Sequence, residues 1–299
     1  MPGRTVRCAI ASSGVPLLAW IAWPEPATRV EFRFSGLGGL KGEPRPRPPA
    51  IALEEIFSLG PAMHGYFCAS FNPDGAWIVA GTAEPIVFVI EARLGKPMKA
   101  RLRGHTAGIM CAAFSPNGRR IATGGQDRRV VLWDSNSDAD YRVIGEHGGI
   151  VTSIAFASGE RLLASAGDDG VVKLWDPRAG TELRSFQPGG GMVYRIAFSP
   201  DAKTLIAGCE DGTIRFFRSA DAVADRVLKG HARPVRALAF SGNGKTLASG
   251  GDDGTIRIWD VSAGTETRAI RAHGKTVYDI SFSPDGKFLA SGGGDPVLR

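Results

Sequence analysis

The sequence predicts an all-β chain built from one four-stranded unit repeated every 42 residues, and three observations predict it. A Phe closes an apolar stretch at Phe114, Phe156, Phe198, Phe240 and Phe282, each step being 42 residues. Asp127, Asp169, Asp211, Asp253 and Asp295 keep the same step. So do His105, His147, His231 and His273, with Gly189 in the skipped place, and Trp133, Trp175 and Trp259, with Phe217 in theirs. Residue types of unrelated chemistry keeping one period mark a repeat array, and short apolar runs between glycine-rich turns make its unit β. A weaker copy precedes these, Phe71 standing 43 residues before Phe114, so six repeats are visible.

In chain order, residues 1–50 follow no period and are expected to be irregular. Within them, 8–23 (CAIASSGVPLLAWIAW) is apolar and follows Arg4 and Arg7, as the core of a secretory signal does. Pro16, the lack of a small-x-small cleavage site and the terminal Trp20 and Trp23 argue against export, and 16 residues are short for a membrane span. Residues 41–49 (KGEPRPRPP) read as an exposed linker, because proline donates no ladder hydrogen bond. The repeat domain is expected over 51–299. Its grammar is clearest in the fifth repeat. Gly230 and His231 open it, 235–240 (VRALAF) is a first strand, 241–244 a turn and 246–250 (TLASG) a second strand. Asp252-Asp253-Gly254 is a tight turn, since Asp-Gly tolerates the positive φ a hairpin needs. Residues 255–259 (TIRIW) form a third strand with Ile256 and Ile258 on one face and Arg257 and Trp259 on the other. Residues 266–270 (ETRAI) form the fourth. In the sixth repeat the next Trp is due two residues beyond Arg299, so the third strand is expected to be short. Either the sequence is truncated there, or an upstream segment completes that blade: 28–34 (TRVEFRF), which alternates apolar and polar, in preference to 52–58 (ALEEIFS).

One such blade cannot bury both faces, whereas a ring of blades does. The repeat resembles that of the WD40 family over residues 61–299. The marks are Gly104-His105 with Trp133-Asp134, Gly230-His231 with Trp259-Asp260, Trp175-Asp176 after His147, and the turns Ser115-Pro116-Asn117-Gly118 and Ser283-Pro284-Asp285-Gly286. The resemblance implies a WD40-type β-propeller of six or seven blades, the sixth repeat incomplete, with an irregular N-terminal segment.

The recurring polar residues invite a Ser-His-Asp reading: His231, Ser249, Asp253 and Trp259 recur as His105, Thr123, Asp127 and Trp133, and as His147, Ser165, Asp169 and Trp175. An enzyme needs one such set, not one per repeat. The resemblance implies instead a structural hydrogen-bond network inside each blade, and buried polar groups do need partners. The fourth repeat has Gly189, Ala207 and Phe217 in three of the four places and keeps only Asp211. The first has Ala62, Ala80, Glu84 and Ile90. Both are expected to rest on apolar packing, because a half-satisfied network costs more than none.

The resemblance also implies a partner-binding rim. It is formed by residues flanking the first apolar residue of each opening strand and by the residue before each turn Asp. Here that set includes Met110, Thr152, Met192, Tyr194, Arg236 and Tyr278, of types enriched at interface cores. Asp168, Glu210 and Asp252 are expected to add an acidic arc that receives a Lys or Arg of the partner.

Composition narrows the rest. Net charge is +6, but Lys and Arg are interspersed with Asp and Glu and no run of like charges occurs, which argues against nucleic-acid binding. Cys8, Cys68, Cys111 and Cys209 form no CxxC pair, so no zinc or redox motif is expected, and their usage fits a reducing, cytoplasmic setting. No P-loop, HExxH, GxSxG or metal-ligand cluster is present, and no acidic or nucleophilic residue that breaks the repeat is evident for the central channel. No cofactor and no catalysis are expected. The expectation is a monomeric propeller acting within a complex as a protein-interaction scaffold; the alternative is a sensor module of a larger signalling enzyme.

Overall fold

A computed structural model describes residues 66–92, 97–137, 140–295 and 297–299, together with the backbone of the two-residue strands Val6–Arg7, Glu31–Phe32 and Ser58–Leu59. The apolar stretch 8–23 and the proline-rich 41–49 lie outside the described residues. The described residues form six four-stranded sheets arranged as the blades of a β-propeller and no helix, so none is long and apolar enough to cross a membrane. Among the described residues the blade count, left open by the sequence, is six.

Within each of the first five blades the strands follow one another in chain order and pair antiparallel. The fifth blade runs Val235–Phe240, Thr246–Gly251, Thr255–Asp260 and Thr265–Arg271. The sixth consists of Val277–Phe282, Leu289–Gly293, the short Val297–Leu298 and, running parallel to that last pair, Glu31–Phe32. Gly254 in the predicted tight turn has φ +75°, the left-handed conformation that a side chain resists.

The core lies between blades. Trp259 packs with Ile206, Ile214 and Leu247, toward the fourth blade, whereas Ile256 and Ile258 pack with Val277 and Ile280 of the sixth. One strand thus feeds two interfaces through its alternating faces. The first strands of successive blades lie against one another. Those of the second to sixth blades begin with a branched residue that is fully buried: Ile109, Val151, Val193, Val235 or Val277. At the boundaries of the second with the third blade and of the fifth with the sixth, that residue packs where the preceding blade carries glycine. A Cβ on Gly124 would sit 2.3 Å from Val151 Cγ1, and one on Gly250 would sit 2.6 Å from Val277 Cγ1. Each such Gly-to-branched contact brings two sheets closer than any larger residue allows.

Candidate functional site

In the fifth blade Trp259 Nε1 donates to Ser249 Oγ at 2.8 Å, and Ser249 Oγ lies 2.8 Å from His231 Nε2. His231 Nδ1 lies 3.0 Å from Asp253 Oδ2. A carboxylate only accepts, so the ring proton belongs on Nδ1 and Nε2 accepts from the serine hydroxyl. The second blade repeats this with Thr123 (2.7 Å to His105, 2.8 Å to Trp133) and Asp127 (2.9 Å). The third repeats it with Ser165 (2.7 Å to His147, 2.9 Å to Trp175) and Asp169 (3.2 Å). Burial holds the three imidazoles below their ordinary pKa despite the neighbouring carboxylates, which keeps them neutral. Burial also pushes Asp127 and Asp253 up, but hydrogen bonds from His, hydroxyl and backbone N–H groups outweigh it and leave both carboxyls below the usual range.

The sixth blade contains a fourth set. His273 Nε2 lies 2.9 Å from Ser291 Oγ, and its Nδ1 lies 2.6 Å from Asp295. Arg299 reaches the same Asp295 at 3.0 Å. Burial raises the Asp295 carboxyl, yet bonds from His273, Arg299 and the Gly274 N–H draw it down to about 2. The periodic His and Asp pointed to this set; Ser291 and Arg299 had not been singled out.

In the fourth blade Phe217 is buried and packs on Phe186 with ring centroids 4.9 Å apart. Asp211 does not stand alone there, as the sequence had implied. Arg215 Nη2 binds it at 3.0 Å, and Arg215 Nη1 donates to the Pro188 carbonyl beside Gly189. A guanidinium thus occupies the space vacated by the missing imidazole.

The rim residues share a backbone feature. In all six first strands the pairing slips at the second residue, leaving Phe67, Met110, Thr152, Tyr194, Arg236 and Tyr278 as the extra residue of a β-bulge. A bulge takes one residue out of the ladder and re-aims its side chain. Three of these residues meet in one patch. The Arg236 guanidinium lies 3.7 Å from the centroid of the Tyr194 ring and grips Asp252 through two bonds of 2.9 Å. Tyr278 is close enough to favour the Arg236 cation. Tyr194 Oη lies 3.5 Å from Met192 Sδ, and Met192 is exposed. Partial burial raises the Tyr194 phenol above its ordinary pKa; Arg236 opposes this, and Glu210, Asp252 and Asp168 reinforce it.

Two expectations are corrected by this geometry. Asp252 is neutralised in a two-point ion pair, so the acidic arc is reduced to Asp168 and Glu210. Thr152 spends its hydroxyl on the carbonyls of Val193 (2.5 Å) and Ala166 (3.1 Å), binding the third blade to the fourth. Met110 is half-buried.

The central channel corrects a third. An acidic residue that breaks the repeat does sit on a first strand: Asp279, buried, which receives Arg195 Nη2 at 2.9 Å. These residues belong to the sixth and fourth blades, so the pair spans the intervening fifth, where Ala237 leaves room. Cys68 and Cys111 share this register. Burial pushes the Cys68 thiol up to about 12 and Cys111 well above its ordinary value, so neither is a thiolate nucleophile near neutral pH. Among the described residues no group of His, Cys, Asp or Glu is placed to hold a metal ion.

The WD40 family, described as "WD domain, G-beta repeat", matches residues 95–134, 140–176, 180–218, 224–260 and 264–299. Among curated proteins the chain is similar to a periodic tryptophan protein 2 homolog of Dictyostelium discoideum, 28% identical over 34% of this chain and 11% of that protein. It is similar to pre-mRNA-processing factor 19 of Oryza sativa subsp. japonica, 34% identical over 28% of this chain and 15% of that one. It is also similar to a guanine nucleotide-binding protein subunit beta of Zea mays, 29% identical over 29% of this chain and 24% of that one. In each case the match spans under a quarter of the relative's length. Five matched repeats over more than half of the chain, laid on a ring of four-stranded blades, make it a member of the WD40 repeat family.

Proposed function

We propose that this propeller is a non-catalytic scaffold that binds a protein or peptide partner on its bulged rim, over the patch formed by Met192, Tyr194, Arg236 and Tyr278. Proteins of this family are commonly interaction scaffolds and generally not catalysts, which supports the class of function. The observation that carries the location is the Tyr194–Arg236–Asp252 stack: an aromatic ring and a guanidinium already fixed against one another. A partner that docks there loses little side-chain entropy on the scaffold's side. Asp168 and Glu210 beside the stack favour a Lys or Arg in the partner. The free thiols of Cys68, Cys111 and Cys209 fit a cytoplasmic setting.

The test is affinity capture from the cells of origin, with wild type beside a Met192→Ala/Tyr194→Ala/Tyr278→Ala variant whose fold is verified by its urea midpoint. A protein retained by wild type and lost by the variant is expected. Retention of the same proteins by both baits would remove the rim from the function.

A further inference from the structure

The sulfur atoms of the chain differ in their access to solvent. Of those on described side chains, Cys111 and Cys209 are buried and Cys68 and Met110 are half-buried, whereas Met192 is exposed. Burial also keeps the three thiols protonated near neutral pH, pushing Cys68 up to about 12, Cys209 up to about 11 and Cys111 well above its ordinary value. Peroxides react with the thiolate, so these cysteines compete poorly for an oxidant. Six other large apolar side chains are exposed among the described residues. Tyr141, Val143, Leu183 and Val227 lie on outermost strands, and Val223 and Phe288 on turns at the opposite ends of the blades. Met192 is the one at the rim.

Local structure explains this exposure. Gly189, Gly190 and Gly191 precede Met192, all at positive φ, so its own loop carries no side chain to cover it. A Cβ on Gly191 would collide with the Glu210 carboxylate. That carboxylate accepts the Met192 N–H at 3.1 Å, and the Met192 carbonyl accepts the Glu210 N–H at 2.9 Å, so the residue is clamped on both sides of its backbone. The equivalent places in the other repeats hold Gly65, Gly108, Ile150, Pro234 and Thr276, so the sulfur is particular to this repeat. Met192 Sδ accepts the Tyr194 O–H at 3.5 Å. The phenol keeps that proton, because partial burial and the nearby carboxylates outweigh Arg236.

We propose that Met192 is a modification site at which a hydroperoxide oxidises the thioether, and that the sulfoxide weakens partner binding on the rim; the second part rests on the scaffold reading above. A sulfur lone pair attacks one oxygen of hydrogen peroxide. An S–O bond forms and the O–O bond breaks. Sulfur gives up two electrons, the other oxygen leaves as hydroxide, and the proton on the transferred oxygen converts it to water. The product is polar, and methionine sulfoxide reductases reverse it. Tyr194 donates its O–H to the new oxygen, a stronger acceptor than the thioether. Apolar partner surface laid over Met192 would strip water from the rest of the sulfoxide, which opposes docking.

The experiment treats the whole chain with dilute hydrogen peroxide and follows the added oxygen by peptide mass mapping. Met192 is expected to convert about fivefold faster than Met110, or more, because it is the more exposed. In the oxidised chain the Tyr194 phenol is expected to titrate at higher pH than before treatment, its share identified by Tyr194→Phe, since a stronger acceptor holds its proton. Affinity capture then compares untreated, oxidised and reductase-restored wild type with oxidised Met192→Leu, whose urea midpoint is expected to match wild type. Protein retained through the rim is expected to fall about tenfold on oxidation, to return after the reductase, and to survive oxidation in Met192→Leu. Oxidation of Met110 as fast as Met192, or an unmoved Tyr194 titration, would overturn the site. Equal capture by oxidised and untreated wild type, or an equal loss in Met192→Leu, would overturn the switch. If the Met192→Ala/Tyr194→Ala/Tyr278→Ala bait loses no protein, the scaffold reading fails and the switch with it, whereas mapping and titration decide the modification on their own.

Discussion

Replacing Ser249 by Ala isolates the hydrogen-bond network of the fifth blade. The side chain is fully buried, and its one oxygen serves both Trp259 Nε1 and His231 Nε2. Removing it leaves an indole donor and an imidazole acceptor without partners in a region closed to water. Each such orphan costs about 1–3 kcal/mol, so the pair costs about 2–6 kcal/mol, a large part of the about 5–15 kcal/mol that holds a domain folded. With an m-value of about 3 kcal/mol/M, a loss of about 3 kcal/mol moves the urea midpoint down by about 1 M. Ser249→Thr is the internal control, because Thr123 performs the same task in the second blade; its midpoint is expected to stay near wild type. Adding His231→Ala to Ser249→Ala is expected to cost less than the sum of the singles, since one orphan disappears with the imidazole. A Ser249→Ala midpoint within about 0.2 M of wild type would show that the network does not stabilise the blade.

The same network makes stability depend on pH. His105, His147 and His231 are held below 6.5 in the folded chain, so the unfolded chain binds more protons; stability is therefore complete above about pH 6.5 and is lost as pH falls below it. Urea midpoints measured across that interval are expected to fall with pH, and less steeply in His231→Ala. A second loss is expected between about pH 4 and 2 as Asp295, drawn down to about 2 in the folded state, finally takes its proton. Arg195→Met leaves the Asp279 carboxylate buried without its guanidinium and is expected to cost about 3–5 kcal/mol, with Arg195→Met/Asp279→Leu recovering much of that loss; a double variant as unstable as the single would refute the pairing. On the rim, Arg236→Ala removes the cation that favours tyrosinate, so the Tyr194 phenol is expected to titrate at still higher pH by ultraviolet difference absorbance, with Tyr194→Phe identifying its share.

What the sequence made legible was what repeats. The strands of the fifth blade fall within a residue or two of their expected ends because apolar alternation and Asp-Gly turns are local signals. The bulge positions were also marked as rim positions, although the resemblance supplied the rim and not the slip in register behind it. What the period hid were interactions made by residues that depart from it. Arg195 and Asp279 lie 84 positions apart and meet only once the ring exists. Arg215 replaces an imidazole from a different strand, so no spacing rule announces it. Asp252 looked like a free acid because its partner Arg236, 16 positions away, was read as a contact residue in its own right. In each case the missing information was the side chain's destination, which depends on tertiary packing.

The Arg195–Asp279 pair changes how the ring should come apart. In an array whose units touch only their neighbours, each interface opens on its own free energy, and fluctuations spread one blade at a time. A bond that skips a blade adds a next-nearest-neighbour coupling: the fifth blade cannot swing away from the axis without parting or dragging the charges that cross it. The fourth, fifth and sixth blades should therefore exchange their amide protons as one cooperative block. The second and third, joined to each other by adjacent contacts such as Asn117 to Glu160, should open separately and sooner.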